Sequence, residues 1–309
     1  METLFSRPGR FWRGNLHTHS TLSDGRRSLE EVCRFYEAAG YDFLALTEHF
    51  LEQYGWPLAD TRSFRSACFT TIIGAELHPA QDRMELEVPW HILAVGLPLD
   101  FAPSPLAETG PELARRALDA GAFVAAAHPQ WFTMTDRDVE APGSIHAIEI
   151  YNASCADDND SADSAYMLDM LLARGRRLSA CATDDAHFVP NTRDREAGWV
   201  MVKSETLAPD ALVAALKAGD YYSSTGPVIH ELGIEPGKRL WVRCSPVNRV
   251  FLLGGPAKYV TVGEQGVTEV EFDLSDWQSP YLRVLVRDQE GRKAWTNPMW
   301  LTDFHALCW

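Results

Sequence analysis

Residues 14–46 read GNLHTHSTLSDGRRSLEEVCRFYEAAGYDFLAL, and they form one complete strand, loop, helix and strand unit. Ser28 with Glu31 makes a capping box. Leu29, Val32, Phe35, Tyr36 and Ala39 share one helical face, and Gly40 supplies the stop. Phe43 to Leu46 then reads as a buried strand.

The same alternation continues to about Tyr222. Pro111 and Glu112 open a helix that ends near Gly121, and Phe123 to Ala127 follows as a strand. A helix from Tyr166 to Ala173 stops at Gly175 before the strand Leu178 to Ala182. Thr71 to Ala75, His91 to Val95, Ala147 to Tyr151 and Trp199 to Val202 are further strands, and a last helix runs from Pro209 to about Ala218. Alternating units of this kind predict an α/β barrel of about seven or eight strands over residues 1–227. Beyond Val228 the texture changes. Leu240 to Cys244, Arg249 to Leu253, Val267 to Phe272 and Leu282 to Arg287 are separated by Gly, Pro, Asn and Asp, which predicts a small β-sandwich over 228–309.

The 309 residues, 46% hydrophobic and 23% charged, suffice for one large core and a small second module. The apolar runs are strand-sized, and Met1 to Gly14 carries Arg7, Arg10 and Arg13, so neither a signal peptide nor a membrane span is expected. Cysteines at 33, 68, 155, 181, 244 and 308 make no C-x-x-C pair and read as reduced thiols of a cytoplasmic protein. A formal charge of -15 argues against holding long nucleic acids, because that affinity comes from clustered Lys and Arg. A small molecule is the expected partner. The acidic loop Asp157 to Asp163 reads as solvated.

Ligand-type residues recur at the predicted carboxyl ends of strands: His17 and His19 at the first, His49 at the second, Glu76 at the third, His128 at the fifth, and Asp185 with His187 at the seventh. In a parallel barrel those ends converge on one face. The H-x-H spacing sets two imidazoles on one side of a strand, about 7 Å apart along the chain. Nitrogen and oxygen donors without cysteine suit zinc, manganese or iron, and ions joined by a shared carboxylate support hydrolysis. Neither a G-x-S-x-G elbow nor a P-loop is present.

The ordered set Leu16-His17-Thr18-His19-Ser20 with Ser23-Asp24-Gly25, Leu46-Thr47-Glu48-His49, Gly74-Ala75-Glu76, His91-Ile92-Leu93, Ala127-His128-Pro129 and Asp185-Ala186-His187 resembles the PHP (polymerase and histidinol phosphatase) family of metallohydrolases. Gly40-Tyr41-Asp42-Phe43-Leu44, Ala182 to His187 and Tyr221 to Pro227 are similar to its CehA/McbA-type branch. The resemblance implies a distorted (β/α)7 barrel with two or three divalent metal ions. By the same resemblance His17, His19, Glu76 and Asp185 hold one ion, Glu76, His91 and His128 a second, and Asp24, His49 and His187 a third. It also implies a hydroxide held between metals as nucleophile, with Glu76, Asp185 and His187 as the catalytic residues.

Other positions stay open to two readings. Glu48 stands where the family usually has Asp, and its extra methylene is expected to retune the His49 ion. His78 is a pocket residue or a competing ligand. Asp184 is expected to hydrogen-bond a histidine. Arg193, Arg195 and Asn152 are candidate substrate contacts, and Trp56, Trp90 and Trp131 candidate walls of an apolar pocket. His146, His230 and His305 receive no role. A phosphoesterase is the leading expectation. A carboxylic or carbamic ester hydrolase and a non-catalytic metal-binding scaffold are the alternatives.

Overall fold

The computed structural model describes residues 4–305, with only the backbone of Leu4 and His305, so that Cys308 lies outside the described residues. Strand β1 is Arg10–Asn15, followed by helix α1 at Leu29–Ala38 and β2 at Phe43–Leu46. The capping box forms as expected: Ser28 accepts from the Glu31 amide while Glu31 accepts from the Ser28 amide. Gly40 takes φ 79°, the left-handed conformation that ends the helix at no Cβ penalty. Val32, Cys33 and Tyr36 of α1 pack on Leu44 and Leu46 of β2, whereas the alternate residues Phe43 and Ala45 face a second cluster enclosed by the strands. A Cβ on Gly14 would meet the Phe43 ring at 2.1 Å, so glycine lets that ring lie across β1.

The row continues with β3 (Thr70–Leu77), β4 (Ile92–Val95), helix α2 (Gly110–Asp119), β5 (Phe123–Ala126), helix α3 (Asp136–Glu140), β6 (Ala147–Asn152), helices α4 (Ala153–Asn159) and α5 (Ala165–Ala173), and β7 (Ser179–Thr183). Strand β8 (Trp199–Ser204), helix α6 (Pro209–Ala218) and β9 (Tyr221–Ser224) complete this part. Neighbours β1 to β7 hydrogen-bond in chain order. After β7 the chain returns to the segment after β1, where Asp185 N donates to His17 O and His19 N to Ala186 O, both at 2.9 Å.

The strands are not uniformly parallel, as a regular barrel would require. Strand β4 runs antiparallel to both β3 and β5, and β1 pairs antiparallel with β8. Residues 78–91 link β3 to β4 without a helix, and an irregular link of that kind suffices for strands that reverse direction. The amino end of β4 therefore joins the carboxyl ends of its neighbours on one rim. That reversal explains why His91 precedes its strand.

The C-terminal part contains β10 (Ile229–Glu235), β11 (Arg239–Gly254), β12 (Lys258–Asp273), β13 (Tyr281–Arg287), β14 (Lys293–Thr296) and a last turn α7 (Leu301–His305). The two short strands expected at 240–244 and 249–253 are one strand of 16 residues. Pro246 and Asn248 lie where its register with β12 shifts, between Arg243, Val247 and Arg249, so these residues mark bulges instead of a turn. Strand β14 pairs with β9, with Tyr222 opposite Thr296, which joins this part to the same continuous sheet. Buried Arg283 on β13 clasps Asp169 on α5 through both Nε and Nη2. Among the described residues no helix is long and apolar enough to cross a membrane.

Candidate metal centre

Each donor is set by a local backbone decision on the rim. Asn15, the last residue of β1, donates from Nδ2 to His17 O at 2.9 Å and to the Tyr36 hydroxyl at 3.0 Å, and its Oδ1 accepts from Asp184 N at 3.1 Å. It thereby ties the two ligand loops together. His128 and Asp185 both have positive φ, 28° and 52°, an unfavourable backbone for residues with a Cβ. Such strain persists where the surroundings over-determine it, and it gathers at functional sites.

All nine residues expected as ligands converge. His17 Nε2 lies 3.2 Å from Asp185 Oδ1 and 3.4 Å from Glu76 Oε2. His19 Nε2 is 2.9 Å from the same Asp185 oxygen and 3.6 Å from Glu76 Oε2. The other Glu76 oxygen, Oε1, meets His91 Nδ1 at 2.5 Å and His128 Nε2 at 3.2 Å. Glu76 thus splits its two oxygens between two groups of imidazoles. Asp24 lies apart, with Oδ2 3.4 Å from His49 Nε2 and Oδ1 3.4 Å from His187 Nε2.

The electrostatics call for positive charge at the centre. Burial raises the Glu76 carboxyl, but His91, His49 and His17 overcome it and hold the group well below the ordinary range. Burial likewise opposes protonation of His17, yet Asp185, Glu149 and Glu76 together hold its pKa well above normal. His49 is raised to about 11 against burial by Glu76 and Asp24. His19 is lowered to about 3 by burial and by His187 and His49 beside it. Two of the converging atoms, His17 Nε2 and Glu76 Oε2, are buried without a hydrogen-bond partner. An orphaned buried polar atom costs about 1–3 kcal/mol, a penalty that a cation among these donors removes. Among the described residues three overlapping groups have donor atoms within 4.8 Å of one another: His17, His19 and Glu76; His19, Asp24, His49 and His187; and His49, Glu76, His78 and His91. A set of imidazoles and carboxylates this dense fits divalent metal.

A cavity of about 300 Å³ opens over the cluster, walled by Trp131, Ser154, Asp158 and Thr192 as well as by His49, His91, His128 and His187. Asp158, from the expected solvated loop, therefore faces the site. The substrate-contact expectations fare differently. Asn152 is buried behind the cluster: its Nδ2 donates to Glu149 and Asp185, both at 3.0 Å, and its Oδ1 caps α4 at Cys155 N. Arg195 donates to Thr192 O at 2.6 Å, Arg193 is exposed, and neither lines the cavity. Only Trp131 of the three tryptophans walls it, because Trp90 is buried against Gly110 at the start of α2 and Trp56 packs on Phe50.

Asp184 bonds no histidine. It accepts from the Tyr36 hydroxyl at 2.7 Å and from the amides of Glu196, Ala197 and Gly198 at 2.9 Å, so it anchors the loop that follows His187. Glu48 makes no hydrogen bond to the His49 ring. It accepts from Ser20 N at 3.0 Å and from the Ser20 and Ser23 hydroxyls, and so braces the loop that carries Asp24. Glu149 was not foreseen. Fully buried, it accepts from Thr183 Oγ1 and faces His17 Nδ1, both at 2.7 Å, and accepts from His128 N at 2.7 Å. A lone carboxylate inside the apolar run Ile148-Glu149-Ile150 was the available signal.

No family model matches the chain, and neither does any curated protein. Two partial likenesses are to a candidate metal-dependent phosphoesterase from Bifidobacterium adolescentis ATCC 15703 (13% identity, 58% of this chain and 89% of that one, TM-score 0.41) and to an amidohydrolase from Chromobacterium violaceum (17%, 58% and 88%, TM-score 0.43). Along nearly its whole length the chain is similar in fold, at a TM-score of 0.52 and 16% identity over 94% of this chain and 97% of the other, to a two-domain protein from Bacteroides vulgatus ATCC 8482 that contains a predicted PHP-like metal-dependent phosphoesterase.

Proposed function

We propose that this chain is a metal-dependent hydrolase of the PHP type that cleaves a small-molecule phosphate ester. The observation that carries the reading is the division of Glu76, whose Oε2 faces His17, His19 and His49 while Oε1 faces His91 and His128, as a carboxylate would if two ions shared it. Bound divalent ions would polarise the ester oxygens and lower the pKa of water. We assign His17, His19, Glu76 and Asp185 to one ion, Glu76, His91 and His128 to a second, and Asp24, His49 and His187 to a third.

The chain's own residues orient and exclude. Glu149 and Asn152 hold His17 and Asp185 in place, and Trp131 covers one side of the cavity. His187 Nδ1 lies 2.8 Å from the Asp185 carbonyl oxygen, which only accepts, so Nδ1 carries the hydrogen, and in the neutral ring Nε2 presents the lone pair. That tautomer suits His187 to ligation.

A carboxylic or carbamic ester hydrolase, the activity implied by the CehA/McbA-type resemblance, is the second reading. Among the described residues that line the cavity none is Lys or Arg, which favours a substrate without a phosphate dianion. Turnover of aryl phosphates against aryl esters and carbamates by one metal-loaded sample separates the two. Less than one metal ion per purified chain, with metal content unchanged in His17→Ala, would sink both.

A further inference from the structure

His78 is the histidine of the rim cluster outside the nine-residue set, and it follows Glu76 by two positions. Its ring is buried against His91, centroid to centroid 4.3 Å with the planes perpendicular. Its Nδ1 lies 2.8 Å from the Trp90 carbonyl oxygen. A carbonyl only accepts, so Nδ1 carries the hydrogen, and in the neutral ring Nε2 is left with the lone pair.

That lone pair points at His49. His78 Nε2 lies 2.9 Å from His49 Nδ1 in hydrogen-bonding geometry, so His49 Nδ1 must be the donor. Glu76 Oε2 is nearer, at 2.7 Å, but out of line for a hydrogen bond and without a partner. In the neutral ring that a metal ion would bind, a protonated Nδ1 leaves the lone pair of His49 on Nε2, the atom 3.4 Å from Asp24 Oδ2.

We propose that His78 is a positioning residue that sets the tautomer of His49: the chain from His49 Nδ1–H to His78 Nε2, and from His78 Nδ1–H to the Trp90 carbonyl, directs His49 Nε2 at the ion position shared with Asp24 and His187. The proposal rests on the metal-centre reading above. A metal-binding imidazole gains basicity and a fixed orientation when its second nitrogen donates to a neighbour, and losing such a neighbour costs roughly 10–100-fold in metal affinity. A histidine in that place also leaves Glu76 Oε2 free of the His49 proton. The carboxylate then keeps both oxygens for ions.

Zinc titration of the full chain under chelator competition, for the unmodified protein, His78→Ala and His78→Gln, tests this. Expected is a fall of about 10–100-fold at one zinc position in His78→Ala, the others unchanged, and substantial recovery in His78→Gln, whose amide oxygen also accepts from His49 Nδ1–H. Long-range proton–nitrogen correlation of the histidine rings in the unmodified zinc-loaded chain should show His49 protonated at Nδ1 and His78 Nε2 free of metal. That spectrum decides the matter even if His78→Ala fails to fold. Unchanged affinity at every position in His78→Ala, or a metal-shifted His78 Nε2, overturns the proposal and leaves the metal centre standing. Absence of zinc binding by the unmodified chain overturns both.

Discussion

Glu149 holds four groups at once, His17, Thr183, the His128 amide and Asn152, from a position with no exposed surface. Replacing it with glutamine keeps the shape but removes the charge that His17 faces. Glu149→Gln should therefore fold and bind the His17 ion about 10–100-fold more weakly, as read by chelator competition. Asp24 is the opposite case, half-open at the rim, 3.4 Å from His49 and His187 and 3.9 Å from His19. Asp24→Ala should lower metal content by one ion per chain without emptying the site. Elemental analysis checks it, and complete metal loss would refute the division into separate ions. That the nine candidate residues share one rim was legible in the sequence, because each stands in a short motif beside a strand. The roles of Glu149 and Asn15 were not, since each holds groups far along the chain; His17 and Glu149 are 132 positions apart, and Asn15 and Asp184 are 169 apart.

Elements were readable where one periodicity dominated. The capped helix α1 appears as expected, with its Val32 and Tyr36 face buried against β2. Strand direction was not readable, because a fully apolar run such as Ile92–Val95 carries no mark of whether its neighbours are parallel. The reversal of β4 came from the irregular 78–91 link and from its pairing on both edges. Glycine at position 14 shows how tightly the enclosed cluster is filled. Gly14→Ala drives a methyl into the Phe43 ring and should destabilise the fold by roughly 1–3 kcal/mol in urea unfolding, with β1 and its ligand loop most affected.

Over the whole molecule the C-terminal strands share one sheet with the rest through β9 and β14, and Arg283 reaches across to Asp169. The guanidinium is 2% exposed and the carboxylate 48%, so the two partners are not equivalent. Asp169→Ala strands a buried cation and should cost about 2 kcal/mol, less than a fully buried pair because solvent reaches the carboxylate side. Arg283→Met, which removes the charge and keeps the stem, should cost less in the same thermal or urea experiment. Equal losses would show that the charge plays no part in joining β13 to α5.

What the sequence determined by itself was local: capped helices, buried strands, and an ordered series of imidazoles and carboxylates beginning at His17-Thr18-His19. Those readings need only neighbours within a few positions, where side-chain type and spacing act directly. Only the tertiary structure decided which rim β4 faces, which oxygen of Glu76 serves which histidines, that Asn152 and Asp184 turn away from the cavity, and that His78 meets His49. Each of those depends on contacts between residues far apart in the chain, and backbone closure and burial settle such contacts together.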